Sequence, residues 1–272
     1  MTELLVVAGE ASGDRAAAHV IARLLERNKV NAFGLGGGAL QAQGVELLAD
    51  LREFTALGVG AVALKAAPIA LAHARILKAA EQRHVRAALL VNYTEFNTLV
   101  ARRLHARGVR VLWYVAPQVW AWRRDRMASL RRVIDRMAVI LPFEEALWRE
   151  QGVDAHYVGH PVRETTSLER GPARAALGLT PYAPTIAILP GSRPHEVDAH
   201  LPMMLEAYES VRRDRASIDA RVLIAPSLDR KTRDRAEGLA RAYRIGVSRV
   251  DAYLGATPVL PGFDAALCAS GT

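Results

Sequence analysis

One cysteine, Cys268, stands among 272 residues, so no disulfide can form within the chain and a reducing compartment suits it. Its apolar, strand-like neighbours predict a small core residue. Aromatic residues make up 6% of the chain, and no basic run is interleaved with them, so nothing specific supports nucleic acid as a partner. No apolar run reaches the ~20 residues that span a bilayer. The longest, residues 59–74, is interrupted by Lys65 and Pro68. It reads first as a core helix, and second as a helix lying in a membrane interface. The chain enters a strand pattern at residues 4–8 without a signal-peptide pattern before it. The dinucleotide fingerprint Gly-x-Gly-x-x-Gly is missing, so no nicotinamide cofactor is expected. Long repeats and low-complexity segments are also missing.

What is present begins with charge. Lys plus Arg is 36 against 28 for Asp plus Glu, a formal charge of +8. That balance fits anionic membranes, nucleic acid or phosphorylated ligands without choosing among them. The arginines of residues 123–135 are spaced as on the solvated face of one basic helix.

The most informative stretch is Thr-Ile-Ala-Ile-Leu-Pro-Gly-Ser-Arg-Pro-His-Glu, residues 185–196. Its apolar, β-branched opening reads as a buried strand. Pro190-Gly191 ends that strand, Ser192 offers a helix N-cap, and Pro194 suits the first helical turn. A strand, a glycine turn and a helix start together aim backbone N–H groups and a positive dipole end at one point. Arg193 adds a two-pronged donor for phosphate oxygens. The turn therefore suits a diphosphate, and a plain helix start with an exposed arginine is the alternative reading.

The same pattern recurs along the chain. Residues 4–8 lead into Gly9-Glu10-Ala11-Ser12-Gly13-Asp14 and a helix over 15–27. Residues 31–35 form a strand followed by a glycine turn at 34–38. A helix over 71–83 precedes a strand over 86–91, which ends in Asn92-Tyr93-Thr94-Glu95-Phe96-Asn97. Ligands of open α/β sheets sit outside the carboxyl ends of strands, which places Asn92 and Glu95 for chemistry. Glu95 suits a general base; a helix-start acid favoured by the dipole is its other reading. A helix over 99–107 and a strand over 109–114 lead to Val-Trp-Ala-Trp at residues 119–122. Those tryptophans would line a sugar or acyl site, or seal the fold. Strands at 137–141 and 155–158 follow, with Gly159-His160-Pro161 where the chain leaves a first domain. Residues 163–184 read as a linker and first helix of a second domain. Strands at 220–225 and 264–269, with helices around 201–213 and 230–243, complete it. The expected fold class is α/β: two Rossmann-like doubly wound domains, residues 1–162 and 163–272, facing a cleft, with the second incomplete.

Seven of these turns, in order and at similar spacing, resemble those of the lipid-A-disaccharide synthases, glycosyltransferases of GT-B architecture. They are Ala8–Asp14, the glycines at 34–38, Pro117–Trp122, Leu141-Pro142-Phe143-Glu144, Gly159-His160-Pro161, Leu189–Arg193 with Glu196, and Ser270-Gly271-Thr272. The resemblance implies an inverting, metal-independent hexosyl transfer without cofactor. A 2,3-diacylglucosamine unit would pass from UDP to 2,3-diacylglucosamine 1-phosphate, giving the lipid A disaccharide and UDP. It further implies that Gly191, Ser192, Arg193, Glu196, Ser270, Gly271 and Thr272 bind the nucleotide sugar. Ser12, Gly13, Trp120 and Trp122 would hold the acceptor. The acyl chains imply a cytoplasmic protein, peripheral on the anionic inner face of the inner membrane, with residues 59–74 as its contact, and a homodimer is compatible with the pattern.

Two departures qualify the resemblance. Where the family's suspected catalytic aspartate stands, this chain has Asn92, an amide that cannot serve as a base near neutral pH. Glu95 is the preferred substitute, with its longer reach; Glu10, Asp14 or a slow enzyme are the alternatives. The family also runs on for roughly a hundred residues beyond its Ser-Gly-Thr, so weak activity and a bare sheet edge are expected. Two rivals stay open: another UDP-N-acetylglucosamine enzyme of the same architecture, such as an epimerase or a murein-pathway transferase, and a non-catalytic remnant that binds UDP or membrane.

Overall fold

The computed structural model describes residues 2–51, 62–121, 123–164, 167–250 and 257–269. The chain divides into two compact units, Met1–Pro161 and Val162–Thr272.

In the first unit, β1 (Thr2–Ala8), α1 (Ala11–Arg27), β2 (Val30–Gly36), α2 (Gly38–Ala42) and β3 (Glu46–Asp50) form one half of a parallel sheet. The other half is α3 (Val62–Gln82), β4 (Ala87–Val91), α4 (Thr94–His105), β5 (Arg110–Tyr114), α5 (Met127–Arg131), β6 (Arg136–Val139), α6 (Pro142–Glu150) and β7 (Ala155–Tyr157). The strand order is β3-β2-β1-β4-β5-β6-β7. β4 is central and covered on both faces, which is why Ala-Leu-Leu-Val reads as an unbroken apolar run rather than an alternating one. Ala72, Ile76 and Ala80 of α3 and Val100, Ala101 and Leu104 of α4 recur at helical spacing and join the core with Phe33, Leu90 and Trp113.

In the second unit, α7 (Arg170–Ala176), β8 (Thr185–Leu189), α8 (Pro194–Asp214), β9 (Asp219–Ile224), α9 (Arg230–Ala242), β10 (Gly246–Arg249) and β11 (Ala265–Cys268) build a parallel sheet ordered β10-β9-β8-β11. Val197, Leu201, Met204, Leu205 and Tyr208 of α8 pack on Val222 and Ile224 of β9. The doubly wound α/β class expected from the repeated strand-turn-helix pattern is the class observed.

Several local expectations change. Residues 123–135 are not one helix: a 3-10 turn, Arg124–Arg126, precedes the short α5. By Asp135 the chain is already held to β5, its N–H donating to the Val111 carbonyl at 3.0 Å and its carboxylate accepting the Val111 N–H at 2.8 Å, so no helix can run through it. β3 and β10 escaped notice because both are sheet-edge strands with mixed polarity, such as Glu46 and Asp50 or Gly246 and Arg249. Helix α8 begins at Pro194, as the turn residues suggest, so the helix expected around 201–213 starts earlier and runs through Pro202. Cys268 is exposed, not a core residue, because β11 lies at an edge of its sheet among the described residues and its side chains are mostly uncovered. Of residues 59–74, positions 59–61 lie outside the described residues; Ala72 is buried and Leu71 is 52% exposed. Among the described residues no helix is long and apolar enough to cross a membrane.

Candidate functional site

Each sheet reverses its strand order at one place, and there adjacent crossovers diverge and leave a crevice at the carboxyl ends. In the first unit the reversal falls between β1 and β4. The turn after β1 carries Glu10, and the turn after β4 carries Asn92. The Asn92 amide donates to Glu10 Oε2 at 3.1 Å, joining residues 82 positions apart. Gly13 is buried at the start of α1, and a Cβ added there would reach Val91 and the Asn92 Cβ at 3.5–3.7 Å, so α1 begins close beside this turn.

The turn after β4 is held in an unusual shape. Asn92 and Tyr93 both take left-handed backbone angles, φ 49° and 45°. Asparagine tolerates that region; tyrosine does so at a cost that the surroundings must offset. Asn97, fully buried, donates its amide to the carbonyls of Val91 and Asn92 at 3.2 and 2.8 Å. Tyr93 stacks on Phe96, and its ring fills the space beside Gly9, where any Cβ would lie 2.0 Å from a ring carbon. Burial, aided by the nearby Glu10 charge, pushes the Tyr93 hydroxyl up.

The other expected carboxylates are engaged differently. Asp14 is buried and accepts from the backbone N–H groups of Gly37 at 2.7 Å, Ala39 at 3.0 Å and Leu40 at 3.3 Å. It thus caps α2 and shapes the glycine turn. Glu95 is 76% exposed and forms an ion pair with Arg126. Of the three carboxylates, Glu10 is the one that meets Asn92 at the switch point.

After β5, Val115 takes φ 62°, a strained angle for a β-branched residue, and the chain turns into the 3-10 segment Gln118–Ala121. Trp120 there is half-buried, edge-on to Phe143 with centroids 5.0 Å apart. Its indole N–H donates to Glu144 Oε1 at 3.2 Å. Ser12 is exposed at the start of α1, and Trp122 lies outside the described residues. Tyr93, Asn97, Glu144 and Arg126 had no assigned role from sequence. The signal for the first two was a pair of asparagines around a turn tyrosine, since asparagine favours left-handed angles and local backbone bonds.

In the second unit the order reverses between β8 and β11, and the turn after β8 is Pro190–Arg193. Ser192 is not the N-cap: Arg193 is, with Pro194 at the first helical position. Glu196 reaches back and accepts from the N–H groups of Ser192 at 2.9 Å and Arg193 at 3.1 Å. Its second oxygen takes the Arg193 guanidinium at 2.9 Å. Gly191, at φ +124°, leaves room for Glu196, whose Cβ would lie 2.6 Å from any Cβ added there. Burial alone would push the Glu196 carboxyl up, but the two N–H groups and the Arg193 charge outweigh it and hold it below the usual range. The donors expected to face a diphosphate therefore already hold an anion. Ser227, after β9, donates to the Ser192 carbonyl at 3.0 Å and steadies the turn. Ala269 donates to the Leu189 carbonyl at 2.9 Å, beside β8; Ser270, Gly271 and Thr272 lie outside the described residues. Among the described residues no three His, Cys, Asp or Glu side chains gather as metal ligands.

Solved structures share this fold. A UDP-GlcNAc 2-epimerase from Neisseria meningitidis bound to UDP-GlcNAc matches with a TM-score of 0.70 at 11% identity, covering 100% of this chain and 78% of that one. An Escherichia coli structure described as trehalose-6-phosphate bound with UDP-2-fluoro glucose matches with a TM-score of 0.52 at 12% identity, covering 93% and 75%. Sequence relatives narrow the reading. The lipid-A-disaccharide synthase of Myxococcus xanthus is 43% identical over 272 residues, covering 99% of this chain and 70% of that protein. Those of an Anaeromyxobacter strain and of Syntrophus aciditrophicus are 41% and 36% identical, each with 99% and 70% coverage. The family model LpxB, lipid-A-disaccharide synthetase, matches residues 4–272. The chain belongs to the lipid-A-disaccharide synthase family of glycosyltransferases.

Proposed function

We propose that this protein transfers 2,3-diacylglucosamine from UDP to 2,3-diacylglucosamine 1-phosphate, with inversion and without a metal ion. The single observation that carries the mechanism is the Glu10–Asn92 pair at the switch point of the first sheet. Inversion needs a base for the acceptor 6-hydroxyl. Asn92 has no basic lone pair to offer, but its amide fixes one Glu10 oxygen and leaves the other for the substrate proton. As the hydroxyl oxygen attacks the anomeric carbon, its proton passes to Glu10 and the bond to the UDP β-phosphate breaks. Glu95, ion-paired to Arg126, is less suited to this step than the sequence argues. Asp14 is committed to the backbone of α2. The acceptor would lie against Ser12, Gly13, Trp120 and Trp122. The leaving diphosphate would meet the Gly191-Ser192-Arg193 turn, where exposed Arg193 donors and the helix dipole favour negative charge, with Ser270, Gly271 and Thr272 beside it.

The acylated substrates and the +8 charge support a place on the anionic inner face of the inner membrane, with residues 59–74 and exposed Leu71 as the contact.

The test is disaccharide formation from the two acylated substrates, in chelator. We expect Glu10→Gln to lower kcat by about a hundredfold or more, the usual worth of a general base. Glu95→Gln should keep turnover within about threefold, as a surface ion pair would. The reverse ranking would return the base to Glu95. UDP release with an epimerised monosaccharide as the product would refute the transferase reading.

A further inference from the structure

The Leu141-Pro142-Phe143-Glu144 segment has no part in the chemistry above, yet it contains a carboxylate that is only 1% exposed. Burying an ionisable group is costly unless its bonds are made, so the contacts of Glu144 indicate what it is for. One oxygen accepts the Leu141 N–H at 3.2 Å and so reaches back to cap the start of α6. The other accepts the Trp120 indole N–H at 3.2 Å. A glutamine could keep the cap with its single acceptor oxygen, but would turn an NH2 toward one of these two donors. Burial pushes the Glu144 carboxyl up, against the pull of the indole and backbone N–H groups. Phe143, next in the chain, sets its ring edge-on to the same indole at 88°. Two consecutive residues of α6 therefore hold one tryptophan of the turn after β5 from two directions, while that tryptophan remains half-buried rather than sealed in the core.

We propose that Glu144 is a positioning residue that locks the Trp120 indole so that its open face forms a flat wall for the acceptor sugar. The inference rests on the acceptor-side reading of the first unit. Sugar rings pack their C–H faces on aromatic planes, and a wall that tilts loses that contact.

The test uses the full 272-residue chain labelled with 5-fluorotryptophan. Its four tryptophans give four fluorine resonances, and Trp120 is identified by its loss in Trp120→Phe. The probe is 2,3-diacylglucosamine 1-phosphate with short acyl chains. In the unsubstituted chain the probe should shift the Trp120 resonance. In Glu144→Gln that resonance should move and broaden before any probe is added, while those of buried Trp113 and Trp148 stay in place and certify the fold. Affinity for the probe should fall about tenfold, the scale of one hydrogen bond to a charged partner. Trp120→Phe, which leaves the α6 cap intact, should lose about as much, and the double variant no more than either, because both act through one contact. UDP affinity should not change. A probe affinity unchanged in Glu144→Gln, or losses that add in the double variant, would overturn the positioning role alone. If the probe shifts no resonance of the unsubstituted chain, the acceptor-side reading fails, and the positioning role with it.

Discussion

At Glu196 a carboxylate occupies the donors that the sequence assigns to a phosphate. Its charge is held by two backbone N–H groups and by the Arg193 guanidinium. On the proposed donor-side role, a diphosphate at the same turn would meet a negative charge at close range. Removing that charge while keeping an acceptor oxygen for the cap should help the ligand. Glu196→Gln is expected to bind UDP about fivefold more tightly, a partly screened electrostatic effect, as read by calorimetry. Weaker binding would mean that the ionised carboxylate is needed to shape the turn. The same side chain has a pH signature. Its folded value lies below its unfolded value, so its stabilisation is present above the unfolded value and vanishes as pH falls through the folded one. Urea midpoints of the unsubstituted chain and Glu196→Gln should therefore differ at pH 7 and converge below about pH 4, where carboxylates protonate.

At the scale of elements, the second unit depends on one buried cation. Arg174 of α7 is 3% exposed and donates to the carbonyls of Ala183 at 2.6 Å and Gly262 at 2.7 Å, to the Thr185 hydroxyl at 3.1 Å, and to the Thr180 carbonyl. Those partners lie in the loop before β8, at its first residue, and at the end of the 3-10 segment Thr257–Gly262 before β11, so one guanidinium ties a helix to two strand entries. Arg174→Met fills the volume but leaves several buried carbonyls without donors, at a cost of about 3 kcal/mol. Urea unfolding followed by circular dichroism should register that loss. Tryptophan emission should register less of it, because residues 113, 120, 122 and 148 all lie in Met1–Pro161. Equal shifts in both signals would contradict the assignment of Arg174 to the second unit's stability.

For the whole molecule, charge is the property that no single element explains. On the proposed membrane role, the +8 surplus would draw the chain to anionic bilayers, and salt screens such attraction over about 10 Å at 0.1 M. Binding to phosphatidylglycerol vesicles should fall steeply with added salt, and phosphatidylcholine vesicles should bind far less. Equal, salt-insensitive binding to both would mean that apolar contact, through residues such as Leu71, outweighs charge.

The alternation of strands, glycine turns and helices is legible residue by residue, because buried strands and helix starts depend on neighbours within a few positions. The family is legible too, since seven short turns in order are a local record. The positions of Glu10, Asn92 and Arg193 at strand-to-helix turns were legible for the same reason. What those side chains meet follows from the folded sheets alone. Asn92 bonds Glu10 from 82 residues away, Asp14 caps α2, Glu95 faces Arg126, and Glu144 takes the Trp120 indole. Each pairing depends on which strands lie side by side, and strand order is a property of the folded sheet that no local window of sequence contains. The edge strands β3 and β10 were missed for a related reason: their mixed polarity gives little signal until a neighbouring strand supplies the hydrogen bonds.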